Sequence, residues 1–238
     1  MRFSLVLATL AISTVAFGQA FAGNDGPFQI GYAANLNIGD SVVNLSNDGF
    51  NGGVFGGGAT LPGNICVNTY VFDPQEEEIG CCSCLVTPNG LNSLSAKSDL
   101  ISNNLTPAVP TSIIIKLVAS RPAPATAGGP LTVCNPATVA STPALVTEFG
   151  MLAWGSTLEP ASTPATYNAV NVTFLNGTFS GVAPAAGAVG GTGSLAVPPA
   201  AGSELAGMTS LCNFIQSNGT GFGICKSCRL GALGGAKQ

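Results

Sequence analysis

The chain has 238 residues, eight cysteines and no histidine, and only 8% of its residues are charged, against about 25% in an ordinary globular chain. The missing histidine excludes Ser/His/Asp and Cys/His catalysis. A formal charge of −4, with no basic cluster, argues against a nucleic-acid partner.

The first residues read as an export signal. Met1 and Arg2 give a basic start, Phe3 to Phe17 are mostly apolar, and Ala20-Phe21-Ala22 has the small-x-small form of a signal-peptidase site. Residues 1–22 are therefore expected to be removed, with a mature chain starting at Gly23. A retained signal anchor is the other reading, but the apolar run is short for a membrane span. Later stretches are broken by Gly, Pro or polar residues before about 18 apolar positions accumulate, so no span is expected in the mature chain.

Phe28 to Ile38 alternates strictly. Phe28, Ile30, Tyr32, Ala34, Leu36 and Ile38 share one side, with Gln29, Gly31, Ala33, Asn35 and Asn37 on the other. That period-two pattern predicts a strand with one buried face. "SVVNLSNDGF" predicts a second strand closed by Asn47-Asp48-Gly49, and Gly52 to Gly58 a glycine loop. "NICVNTYVFDP" (Asn64 to Pro74) and "CLVTP" predict strands, and Asn89-Gly90 a turn. Thr111 to Ser120, almost continuously apolar, predicts a central strand. Ala144 to Leu158 predicts one or two more. "AVNVTFLNGTF" reads as a strand, a turn at Asn176-Gly177 and a strand start.

Residues 121–130, 159–165 and 183–202 are loops of Pro, Ala, Gly and Thr, too poor in bulky side chains to build a core. One helix is predicted at 203–217. Ser203 caps it, Leu205, Met208, Leu211, Cys212 and Ile215 share a face, and Asn218-Gly219 stops it. A cysteine-containing tail, 218–238, follows.

Many short strands, Gly/Pro turns and one late helix predict a mainly all-β, disulfide-stapled, β-sandwich-like single domain over 23–238. A pair of domains split near residue 125 is the runner-up.

Cys66, Cys81, Cys82, Cys84, Cys134, Cys212, Cys225 and Cys228 are an even set behind an export signal, so disulfides are the expected state. Spacing does not choose the connectivity. Adjacent Cys81 and Cys82 are expected to reach different partners, and Cys212 to pin the tail through Cys225 or Cys228. Cys82-x-Cys84 with Cys225-x-x-Cys228 is a thinkable zinc set, and CKSC a thinkable redox pair. Export and the C-terminal placement of CKSC after a helix weigh against both, so no metal or cofactor is expected.

Asp73 with Glu76-Glu77-Glu78 reads as a solvated acidic loop; it lacks the alternating ligands of a calcium loop. Lys116, inside "IIIKLV", reads as an edge or outward position. Its sharper reading is a buried lysine partnered by Glu148 and cross-linked to an Asn by an isopeptide bond, which a disulfide-stapled chain does not need. Trp154, Tyr32, Tyr70 and Tyr167 are few and scattered, so they read as core rather than a sugar platform. Sequons at Asn44, Asn104, Asn171, Asn176 and Asn218 matter only in a glycosylating host.

Two blocks, "GNICVNTYVFDPQEEEIGCCSCLVTPNGLNSLS" with "NNLTPAVPTSIIIKLVAS", and "LCNFIQSNGTGFGICKSCR", resemble a family of exported bacterial proteins of unknown function. The likeness covers roughly half the mature chain. It implies a bacterial, exported setting and no particular activity.

With no catalytic constellation found, the expected role is structural: a non-enzymatic subunit of an extracellular filament or surface assembly that associates with itself. Small neutral side chains cost little desolvation or entropy when buried against a neighbour. The first strand, within 23–39, is a candidate for β-strand addition to another subunit. The alternatives are an ordinary first strand, and a monomeric secreted binding module such as an adhesin or carbohydrate-binding domain.

Overall fold

The computed structural model describes residues 25–50, 63–139, 147–161, 166–180 and 203–226, with the backbone of 229–230. The expected signal peptide and glycine loop lie outside the described residues, as do the whole 183–202 loop and the end of the tail.

The strands form two antiparallel sheets packed face to face. Sheet A has the order β11-β1-β6-β3-β4, and sheet B the order β10-β9-β2-β5-β12. Sheet A is built from β11 (Leu175–Asn176), β1 (Phe28–Ala33), β6 (Ile113–Ser120), β3 (Ile65–Phe72) and β4 (Glu78–Val86). Sheet B is built from β10 (Tyr167–Thr173), β9 (Met151–Pro160), β2 (Val42–Asn47), β5 (Leu91–Ser95) and β12 (Arg229–Leu230). Both sheets mix strands from early and late in the chain, with β2 directly beside β9.

The inner faces make one core. Val67, Val71, Cys82, Val86, Ile113, Ile115 and Leu117 come from sheet A, and Val43, Leu45, Leu94, Met151 and Ala153 from sheet B. Strand alternation puts these residues on one side. β6 is central in its sheet, as its apolar run predicts.

A third layer covers the outside of sheet A. Helix α1 (Glu204–Ser217) starts at Ser203, whose side chain accepts from the Ala206 backbone N–H. It stops at Asn218, followed by Gly219 at φ +73°, a conformation that glycine adopts without strain. Leu205, Met208, Cys212 and Ile215 pack onto Phe28, Tyr70, Cys81 and Val118. Leu211 does not join them and is 49% exposed, because the covered stripe is narrower than the apolar pattern.

Several expectations are corrected. β1 ends at Ala33 rather than Ile38, since Asn35 turns the chain at φ +53°. The side it turns to the sandwich is also not the predicted one, although Phe28 is buried under the helix layer. Gln29, Gly31 and Ala33 face the sandwich and are buried, whereas Tyr32 is 42% and Ile38 49% exposed. Gln29 is tolerated there because its Nε2 donates to the Met151 carbonyl oxygen at 2.6 Å.

The CLVTP strand belongs to the nine-residue β4, which contains the whole CCSC stretch. β5 follows the Asn89 turn and was not expected. The 121–130 loop contributes β7 (Ala123–Pro124), paired with β8 (Leu131–Val133). Asn176-Gly177 makes no hairpin. Instead the chain leaves sheet B after β10, buries Phe174 as a pivot and enters sheet A as β11.

Candidate assembly surface

The cysteines are staples. Cys66 pairs with Cys134, Cys81 with Cys212, and Cys82 with Cys225, at Cα separations of 5.5, 5.8 and 5.3 Å, within the usual span for a bridge. Cys84 is disulfide-bonded as well, and Cys228 lies outside the described residues. Cys81 and Cys82 do reach different partners, as expected. The expected link from Cys212 to the tail is corrected: Cys212 ties α1 to β4, and Cys225 ties the tail to Cys82. With their sulfurs so bonded, the zinc set and the CKSC redox pair do not form.

Beside the Cys81–Cys212 bridge lies the main departure from the solvated-loop reading. Asp73 behaves as a turn residue, its Oδ1 accepting from the backbone N–H groups of Gln75 and Glu77. Glu78, however, is only 6% exposed. The β3–β4 register slips between Val71 and Phe72. This bulge sends Ile79 into the sandwich core and Glu78 to the outer face under the helix layer; bulges re-aim side chains in this way. Neither carboxylate oxygen of Glu78 has a hydrogen-bond partner among the described residues. Burial pushes its carboxyl up from 4.5 to about 8, against the pull of Lys116. Glu78, Cys81 and Cys212 place ligand atoms within 4.8 Å of one another, but two of the three are sulfurs committed to a disulfide. Tyr70 shares the pocket. Burial, then the Glu78 charge, holds its phenol well above the ordinary value, and its hydroxyl donates to the Pro136 carbonyl oxygen at 2.7 Å.

Lys116 sits on the outer face of a central strand, not at an edge. Its partner is Glu204 at 2.7 Å rather than Glu148, and its Nζ lies 4.6 Å from the Phe72 ring centre. Burial works to raise the Glu204 carboxyl. Hydrogen bonds from Lys116 and Ser180 outweigh it, so the net direction is down. The pair is an ion pair that anchors the first turn of α1.

Among the described residues sheet B has no such cover. Register and burial place Leu152, Trp154, Ser156, Leu158 and Pro160 of β9 on its outer face, beside Val42, Asn44 and Ser46 of β2. Leu91, Ser93 and Ser95 of β5 and Tyr167, Ala169, Asn171 and Thr173 of β10 extend it, and β12 sets Arg229 opposite Ser93 at its far end. No residue at these positions of β9, β2, β5 and β10 is charged, and Trp154 at its middle is 41% exposed. The reading of Trp154, Tyr32 and Tyr167 as core is thereby corrected. Tyr70 alone of the four is buried. Sequence pattern shows which residues of β9 share a side; it does not show that this side lacks a third layer.

The sequons are mostly accessible. Asn171 and Asn176 are exposed and Asn44 and Asn218 half-exposed, while Asn104 is buried, its Nδ2 donating to the Ala108 carbonyl oxygen. A cavity of about 410 Å³ lies beside Ile101, Leu105, Val109 and Phe222; no titratable cluster converges on it. No described helix is long and apolar enough to cross a membrane. The disulfides fit an oxidising, extracytoplasmic setting.

Comparison with known protein families, with characterised proteins and with solved structures finds no match for this chain. The chain is a mainly β, disulfide-stapled protein.

Proposed function

We propose that this protein is a structural subunit of an extracellular filament or surface assembly, exported from a bacterial cell, and not an enzyme. The observation that carries this reading is the uncovered face of sheet B. Among the described residues it is an array of neutral polar and half-exposed apolar side chains, with Val42, Leu152, Trp154 and Leu158 among them. Monomers in water usually oppose association with charge, and a contiguous apolar patch marks an interaction site. Neutral short side chains lose little entropy when covered.

β-strand addition is the finer mechanism. β1 pairs with β6 over six residues in antiparallel register, but meets β11 at two positions only. Its inward side chains are Gln29, Gly31 and Ala33, which demand little room. The same slot accepts the first strand of a neighbouring subunit with identical backbone bonds, and alternate side chains hold the register.

Light scattering and negative-stain microscopy of native material test the assembly. Polymers or sheets are the expected result, and stable particles of 20–25 kDa (about one 23.6 kDa chain) count against it. Removing residues 23–39 tests the strand. Loss of polymer from a folded variant supports exchange, and a truncated protein that folds and still polymerises removes it.

Trp154 favours a second reading, a carbohydrate-binding module. Asn44 and Thr173 stand opposite Trp154 in the sheet, and an exposed ring flanked by amide and hydroxyl groups suits a sugar face. Retardation of a monomer by polysaccharide gels, lost in Trp154→Ala, is its test.

A further inference from the structure

We infer that the side of the sandwich formed by residues 167–176 pairs with the same side of a second copy of this chain, joining two subunits edge to edge. The inference rests on the assembly reading and names one of its contacts.

One continuous segment borders both sheets on this side. β10 is the last strand of sheet B and β11 the last of sheet A, with buried Phe174 between them. β10 is seven residues long and pairs only with β9. Tyr167, Asn168, Ala169, Asn171 and Thr173 are exposed, so the outer edge of β10 is open among the described residues. A row of unpaired N–H and C=O groups is a template for another strand.

Proteins guard such edges with charge, proline, bulges or a covering segment. Among the described residues β10 has none of these. Its sequence, YNAVNVT, contains no charge and no proline, and its ladder with β9 runs without a register shift.

The opposite side is met by other segments at several positions. The Cys81 N–H donates to the Gly223 carbonyl oxygen at 2.8 Å, and the Cys225 N–H to the Cys81 carbonyl oxygen at 3.1 Å. The Leu105 N–H donates to the Ile79 carbonyl oxygen at 2.8 Å, and the Cys82–Cys225 bridge fastens the tail there. β5 is met by β12.

This asymmetry identifies the partner. With the far edges of β4 and β5 already met by the tail and by β12, an open edge has no free strand of full length to dock on head-to-tail. It can pair with its own kind about a two-fold axis, the commonest symmetry of self-association. Antiparallel pairing about such an axis sets a strand against itself, so any charge on it meets a like charge nearby. An uncharged strand is what that geometry requires. The product is a continuous sheet of ten strands, twice the five of sheet B, which links chains laterally while β1 is available for growth in another direction.

The test uses paired charge variants of the mature chain. Ala169→Lys with Asn171→Lys places two cations on the exposed side of β10, and Ala169→Glu with Asn171→Glu two anions, so that either register brings like charges together. Each variant alone should weaken self-association by about tenfold or more, with an unchanged melting temperature, and a mixture of the two should restore it. In wild type, amides of 167–173 should gain hydrogen-exchange protection as concentration rises. Undiminished assembly of a folded double-Lys variant overturns the pairing and leaves the assembly reading standing. So does concentration-dependent protection confined to other segments. A wild-type chain that is monomeric at every concentration overturns both.

Discussion

Cys81 and Cys82 are neighbours in the chain and face opposite sides of one strand, so that Cys81 holds the helix on the outer face of sheet A and Cys82 holds the tail from the inner side. A strand alternates its side chains, and two adjacent cysteines in β4 are thereby committed to two layers. Peptide mapping without reduction should recover Cys66–Cys134, Cys81–Cys212 and Cys82–Cys225 as linked pairs, with no cysteine open to alkylation after denaturation. Replacing Cys81 and Cys212 together by Ala should cost about 2–5 kcal/mol and expose the helix to proteolysis first. A Cys81–Cys82 vicinal bridge, or a Cys212–Cys225 bridge, in the map would contradict this arrangement.

Glu78 gives a pH dependence with a definite sign. Its folded carboxyl titrates at about 8, raised from 4.5, so the folded state holds the proton more tightly than the unfolded state. Stability from this group is fully present below pH 4.5, falls as pH rises towards 8, and is level above that. The total loss is at most ~5 kcal/mol. Glu204 works the other way, because its carboxyl is lowered and its contribution fades in acid. Thermal melts from pH 4 to 9 should therefore decline between about pH 4.5 and 8, and Glu78→Gln should flatten that decline. Parallel curves for wild type and variant would exclude the buried carboxyl as the cause.

Gly31 and Phe174 share a space that no larger pair can occupy. A Cβ on Gly31 would lie 2.5 Å from the Phe174 ring. Gly31→Val should thus overpack the core by about 1–3 kcal/mol, and Phe174→Ala should cost about 3–5 kcal/mol through the cavity it leaves. The double variant should be less damaged than the sum of the two, because the valine enters the vacated space. Strict additivity in denaturant titrations would show that the two sites are independent.

The Lys116–Glu204 ion pair contributes little despite its short distance. Both side chains keep about a fifth of their surface, 23% and 19%, and a solvated pair of this kind is worth about 0–1 kcal/mol. Glu204→Gln should lower stability by no more than that in urea titrations, and raising the salt should reduce the difference. A loss of several kcal/mol would mean that Lys116 is left as an uncompensated buried charge.

The sequence by itself determined the local elements. β-branched runs placed β3 and β6, turn residues closed β2 and β4, and Ser203 with Asn218-Gly219 bounded the helix, because each signal acts through its own backbone neighbourhood. It also determined the even cysteine set and the low charge. Tertiary structure decided what periodicity cannot encode. β1 is covered on both faces, so its apolar side is not its core side. The bulge before Glu78 turns an acidic-loop residue into a buried carboxylic acid, since a single extra residue reverses which face a side chain meets. The layer that covers sheet A and spares sheet B depends on where α1 docks, a contact between residues 131 positions apart at Cys81 and Cys212. The open edge at 167–176 exists for the same reason: whether a strand is paired on both sides depends on distant strands and on nothing within its own sequence.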